Sequence, residues 1–190
     1  MKKDNNRVLA SMVERLAKKA DTFGANRLYY QRVDGADWFT NGHWAVSFDP
    51  IFAPQSLTAQ VQEKEKGARF AEGVAKEPFT AMKDVFPREK GADVTFSPMM
   101  YRSTVDTGEV SRLFSANGAL QGINERYREM LELLNSAKVT QLCADGPVCY
   151  WSSDNELLGL CMPYRIDADG IRSEMTTLLD TSVHAEKQAA

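Results

Sequence analysis

Residues 123–166 read INERYREMLELLNSAKVTQLCADGPVCYWSSDNELLGLCMPYRI. The stretch opens with a helical stripe: Ile123, Tyr127, Met130, Leu131 and Leu134 recur at i, i+4, i+7, i+8 and i+11, the period of one apolar helix face. Glu125, Arg126, Arg128, Glu129 and Glu132 occupy the other side. Asn124 suits the N-cap, and Glu125 in the first turn suits the helix dipole. Asn135-Ser136 ends the helix. Three strand-like runs follow: Val139–Cys143, Val148–Trp151 and Leu157–Met162. Asp145-Gly146 and Asp154-Asn155 separate them, both built of turn-forming residues. Connections this short permit only antiparallel neighbours, so the stretch predicts an α-β-β-β unit.

The chain upstream reads similarly. Val8, Leu9, Met12, Val13 and Leu16 predict a helix over about 6–21, with Gly24 as its stop. Arg27–Val33 predicts a strand and Asp34–Asp37 a turn. Trp38–Phe48 predicts a second strand interrupted at Asn41-Gly42, by either a turn or a bulge. No internal repeat shows by direct sequence identity; roughly 6–48 and 123–166 are consistent with a degenerate one of helix plus strands.

Two motifs carry a family resemblance. Trp38-Phe39-Thr40-Asn41-Gly42-His43-Trp44-Ala45-Val46 is similar to the Thr-Asp-Gly-His-Arg-Leu-Ala hairpin of bacterial DNA sliding clamps, the polymerase III beta-subunit type. Leu160-Cys161-Met162-Pro163-Tyr164-Arg165-Ile166 resembles the Met-Pro-x-Arg-hydrophobic sequence that closes that family. The order agrees, and the matched pieces cover a little under half of the chain. Asn41, Trp44 and Tyr164 depart from the family's Asp, Arg and Met. The resemblance implies an α+β fold, a DNA-clamp-like antiparallel sheet with helices on one face. It implies one clamp-like domain over 1–190: a core of about 6–48 and 92–166, an insertion of about 50–91, and a C-terminal helical extension over 167–190.

The resemblance also assigns surfaces. Thr40, Gly42, His43, Met162, Pro163 and Arg165 would border a pocket for short clamp-binding peptide motifs. The family's pocket forms between successive domains, so two copies of this chain would have to meet. Family helices line the ring and meet double-stranded DNA. Residues 1–33 hold eight basic side chains against Asp4, Glu14 and Asp21, a balance of +5. Lys2, Lys3, Arg7, Arg15, Lys18 and Lys19 are the DNA-contact candidates, although a run of charge is more often a solvated helix face. One such domain cannot close a ring, so encirclement would require a homo-oligomer.

Composition narrows the rest. The chain has 190 residues, 43% hydrophobic and 26% charged, with net charge −3. That suits a folded domain and argues against a globally nucleic-acid-binding surface. No apolar run is long enough for a membrane span, and no apolar region follows the basic N-terminus. Three cysteines in the last third read as reduced thiols of a cytoplasmic protein.

Catalytic chemistry is not legible. No phosphate loop, nucleophile elbow or metal motif occurs, so no metal, cofactor or catalytic residue is assigned. His43 reads as packed and hydrogen-bonded rather than catalytic. A Cys149–His43 pair has no support from spacing, and the thiols read as buried and inert. Trp38, Trp44 and Trp151 read as core rather than base-stacking residues.

Between the repeats, Ser56–Arg69 predicts a solvent-facing helix. Phe79, Met82, Val85 and Phe86 predict a short amphipathic one. Val94–Phe96 and Met99–Tyr101 are strand pieces that Pro98 confines to an edge or bulge, and Arg112–Ala116 is a further strand. Ile171, Met175, Leu178, Leu179 and Val183 predict a C-terminal helix that packs on the protein or on a second copy. The leading expectation is a non-enzymatic replication accessory or protein-binding module. The alternative is a structural or regulatory interaction protein of phage or mobile-element origin that keeps the fold without binding DNA.

Overall fold

Two dipeptides set the local geometry of the strands. Asp34-Gly35 and Asn117-Gly118 both have positive φ, 49° and 83° in the first and 51° and 75° in the second. Two successive positive φ values give the tight turn whose twist matches paired antiparallel strands. In this computed structural model the described residues are 2–23, 29–51, 53–54, 86–102, 110–144 and 146–165; the side chains of 2–4, 17–23, 29 and 165 are outside the description.

Among them the chain runs α1 (Lys2–Phe23), β1 (Tyr29–Val33), β2 (Ala36–Thr40), β3 (Trp44–Phe48), β4 (Ala92–Asp93), β5 (Thr95–Arg102), β6 (Val110–Ala116) and β7 (Ala119–Asn124). It continues through α2 (Glu125–Glu132), β8 (Lys138–Gln141), β9 (Val148–Trp151), β10 (Leu157–Cys161) and β11 (Tyr164–Arg165). The fold is α+β. One sheet has the order β1-β2-β3-β10-β9-β8-β4 and the other β11-β7-β6-β5, and each described pairing is antiparallel.

Apart from the short edge strand β4, the larger sheet has a symmetric strand order. β3 and β10 pair at its centre, with Val46 opposite Gly159 and Trp44 opposite Cys161. Outward from this pair lie β2 and β1 on one side, β9 and β8 on the other. A helix precedes each set of three strands, α1 before β1 and α2 before β8. The helix-plus-strands repeat read from the sequence thus reappears as two halves meeting at β3 and β10.

Alternation along the strands sorts the core. Phe39, Trp44, Val46, Phe48, Val148, Tyr150 and Cys161 form one buried cluster with Leu9 and Val13 of α1, Met130 and Leu131 of α2, and Phe114 and Ile123 of the second sheet. Both helices therefore cover one face of the larger sheet. Gly159 permits the close approach of α2: a Cβ there would lie 2.7 Å from Leu131 Cδ2 and 2.7 Å from Leu134 Cδ1. The opposite face carries Val33, Trp38 and Ala45, packed against Phe86, Leu157 and Leu160. The Phe86 ring lies 4.3 Å from that of Trp38. Burying an aromatic side chain of this size removes roughly 150–250 Å² from water.

Several local expectations shift. The first helix is longer at both ends than 6–21, and Val8 is exposed at 47% while Leu9 and Val13 are buried. Ile123 belongs to β7 rather than to the second helix, whereas Asn124 is the N-cap as expected, its Oδ1 accepting from Arg126 N–H at 3.0 Å. The Val139–Cys143 run leaves the sheet after Gln141, and Cys143 is an exposed thiol rather than a buried one. Asn41-Gly42 makes a turn between separate strands, with Gly42 at φ 90°. β5 carries the irregularity expected at Pro98, between Phe96 and Met100, and is an edge strand among the described residues. The helices expected at 56–69, in most of 79–86, and at 171–183 lie outside the described residues, as do the turn position Asp145 and the end of the closing motif, Ile166.

Candidate functional site

The β2–β3 turn is closed by its own side chains. Asn41 Oδ1 accepts from His43 N–H at 2.9 Å and Trp44 N–H at 3.2 Å. Gly42 N–H donates to Thr40 Oγ1 at 3.0 Å, and the Thr40 hydroxyl donates to the Trp44 carbonyl. Asn thus caps the turn through an oxygen that any Asx side chain supplies. Thr40 is buried, and Gly42 and His43 are exposed. The expectation of a packed His43 fails because the turn holds its backbone and directs it away from the sheet. Trp44, the next residue, takes the inward place and is fully buried.

The second motif meets this turn. Met162 N–H donates to the His43 carbonyl at 2.7 Å, one step beyond the Trp44–Cys161 pair. The chain changes sheets at this point: β10 belongs to the larger sheet and β11 to the smaller, where Tyr164 pairs with Gly122 and Arg165 with Gln121. Pro163 sits at the corner between strands, where its missing N–H costs no ladder bond. Met162 is 39% exposed and Tyr164 41%; Pro163 is half-buried. The structure therefore brings Thr40, Gly42, His43, Met162, Pro163 and Arg165 to one corner, with the Arg165 side chain outside the description. Leu142, 48% exposed, and Cys143 lie on the β8–β9 connection at the same end of the sheet.

The DNA-contact candidates share α1. Arg7 and Arg15 are exposed, and Arg15 Nε donates to the Ser11 carbonyl at 3.3 Å. Lys2, Lys3, Lys18 and Lys19 are in the same helix, with side chains outside the description. α2 lies alongside, since Asn5 Nδ2 donates to Asn135 Oδ1 at 3.3 Å. Its exposed residues are mixed in charge: Arg126, Glu129 and Glu132.

Two polar constellations went unread in the sequence. Glu125 is held by two guanidinium groups. Arg128 Nε and NH2 each reach it at 2.8 Å, and Arg112 NH2 and Nε at 2.6 and 3.1 Å. Hydrogen bonding to Arg128 and then to Arg112 outweighs the burial that opposes it and lowers the Glu125 pKa from 4.5 to about 2. Arg112 NH1 also donates to the Pro98 carbonyl at 2.8 Å, tying the β5 irregularity to α2. Elsewhere, Gln121 of β7 and Gln141 of β8 bond across the two sheets, and Asn117 Nδ2 donates to the Gln141 carbonyl at 3.0 Å. The Asn117-Gly118 dipeptide was the available signal, for it fixes the β6–β7 hairpin and so places Gln121.

Chemical reactivity at the remaining candidates is low. Burial pushes the Cys149 thiol up to about 12 and raises that of Cys161 further, which suppresses the nucleophilic thiolate. Trp38, Trp44 and Trp151 are 4%, 0% and 5% exposed, so base stacking on them is closed off. Among the described residues no group of three His, Cys, Asp or Glu could hold a metal ion, and no helix is long and apolar enough to cross a membrane. Comparison with protein-family models, curated proteins and solved structures returns no match.

Proposed function

We propose that this chain is a non-enzymatic protein-binding module related to the sliding-clamp domain, with its binding surface at the corner of β2–β3 and β10–β11. The observation that carries the reading is the 2.7 Å hydrogen bond from Met162 N–H to the His43 carbonyl. It joins the two clamp-like motifs, more than a hundred residues apart, into one surface. Exposed Met162 and Tyr164 supply apolar contact and exposed His43 a polar group, and the resemblance adds Arg165 on the same strand as Tyr164. A few such residues carry most of the energy of a small interface.

The test is fluorescence-polarisation titration with short clamp-binding peptides. His43→Ala and Arg165→Ala each weaken binding by about five- to thirtyfold. Absence of any peptide binding by the wild-type chain overturns the reading in favour of an interaction protein with other partners.

DNA contact through α1 is a second reading, favoured by exposed Arg7 and Arg15 opposite buried Leu9 and Val13. Glu129 and Glu132 on α2 count against a uniformly basic helical surface. The double variant Lys18→Glu/Lys19→Glu weakens duplex binding and lowers its salt slope. A wild-type chain without duplex affinity at low salt ends this reading.

A further inference from the structure

The chain holds two Asn-Gly dipeptides, Asn41-Gly42 and Asn117-Gly118, each in a turn between antiparallel strands. Asn-Gly is open to one reaction that needs no enzyme. The backbone nitrogen of the glycine attacks the side-chain amide carbon of the asparagine and closes a succinimide ring. Glycine favours this step because no Cβ shields the attacking nitrogen. The two turns hold their asparagines in opposite ways.

In the first turn, Asn41 Oδ1 accepts from His43 N–H at 2.9 Å and from Trp44 N–H at 3.2 Å. Only the oxygen of the amide can accept, so these bonds fix which atom faces the backbone. They aim two donors at the atom that gathers negative charge when Cγ is attacked, an oxyanion-hole arrangement. The leaving atom, Nδ2, has no hydrogen-bond partner among the described residues. Gly42 is exposed at φ 90°, and a Cβ on it would meet nothing within 4 Å, so the ring and a water molecule have room. Gly42 N–H donates to Thr40 Oγ1 at 3.0 Å. That bond must open before the proton leaves, so Thr40 is the brake on the reaction.

In the second turn the amide is reversed. Asn117 Nδ2 donates to the Gln141 carbonyl at 3.0 Å and lies 3.5 Å from Gln141 Oε1, and Gln141 is buried. The leaving group is held there, and the carboxylate produced would face two oxygens. Both effects oppose the reaction.

We propose that Asn41 is a site of spontaneous deamidation in the folded protein and that Asn117 is spared. The Gly42 nitrogen bonds to Asn41 Cγ, its proton passes to solvent base, and Nδ2 leaves as ammonia. Water then opens the succinimide at either carbonyl, giving an aspartyl or an isoaspartyl residue without any change of oxidation state. The aspartyl form keeps an oxygen for both N–H bonds and adds charge to them, so the turn survives. The isoaspartyl form adds a methylene to the backbone ahead of Gly42 and displaces the His43 carbonyl that receives Met162 N–H. Protein age thus alters this corner, whatever binds there.

The test is incubation of the full chain at mildly alkaline pH, native and in urea, followed by peptide mapping with mass spectrometry. In the native chain position 41 converts at least about tenfold faster than position 117. In urea the two rates converge, because both sites are then plain Asn-Gly. An isoaspartyl-specific methyltransferase labels the peptide that carries position 41 in aged native protein. Asn41→Ser, which keeps a turn-forming oxygen, abolishes that label, and circular dichroism confirms that the variant is folded. Equal native rates at the two positions, faster conversion at 117, or no conversion at 41 where the unfolded chain converts overturns the proposal.

Discussion

Gln121 and Gln141 exchange side-chain hydrogen bonds, Gln121 Nε2 donating at 3.1 Å and Gln141 Nε2 returning a bond at 2.8 Å while also donating to the Gly146 carbonyl at 3.0 Å. They are 1% and 0% exposed, and the pair joins the two sheets. Gln121 also faces Arg165 across the β7–β11 ladder, so this bond supports the strand beneath the corner.

Replacing one member leaves the other's polar atoms buried without their mate. Gln121→Leu or Gln141→Leu alone destabilises the chain by about 2–3 kcal/mol. The double replacement costs less than the sum of the singles, because no orphaned amide remains between the two positions. Chemical denaturation of the four proteins in the cycle measures the difference.

Glu125→Gln removes the charge that separates Arg112 from Arg128 and destabilises by roughly 2–4 kcal/mol. In the wild type the Glu125 pKa is lowered on folding from 4.5 to about 2. Its contribution is therefore complete above pH 4.5 and drains away as pH falls towards 2. Urea midpoints measured between pH 7 and pH 2.5 decline more steeply for the wild type than for Glu125→Gln in that acid window.

Gly159→Ala forces a methyl against α2. The new carbon would lie 2.7 Å from both Leu131 Cδ2 and Leu134 Cδ1 and 3.0 Å from the Ala45 carbonyl oxygen. The leucines can turn aside, but the carbonyl of the central strand cannot. A loss of about 1–3 kcal/mol follows, read as a lower thermal midpoint.

The three thiols divide by burial. Cys143 reacts with a chromogenic disulfide in the native state, because it lies exposed in the β8–β9 connection. Cys149 and Cys161 react only after unfolding. Counting thiols released with and without denaturant gives one and three.

The hairpins of the second repeat were legible because period-two runs lie between turn residues; Val148–Trp151 is a strand as read. β7 was not legible. Its residues, Ala-Leu-Gln-Gly-Ile-Asn, are mostly weak strand formers, and pairing with β6 through the Asn117-Gly118 turn imposes their conformation. His43 was misread because alternation breaks inside a turn, so flanking aromatic residues say nothing of its direction. Cys143 was misread because the Val139 run looks continuous, yet the ladder stops at Gln141. The two motifs of the corner were visible separately, but their contact depends on the β3–β10 pairing, which no local pattern encodes. The assignment of a peptide or DNA partner rests on resemblance, and chain energetics alone do not specify it.

The central ladder also governs how the protein must be made. Val46 waits for Gly159, so a ribosome has to deliver most of the chain before the middle of the sheet can close. Until then β3 is an open edge with its inward face, Trp44, Val46 and Phe48, lacking half its cover. Long-range closure of this kind is slow and leaves nascent chains prone to sticking. Synthesis halted before Leu157 strands the first repeat in that condition, and such truncated products are natural clients for chaperones.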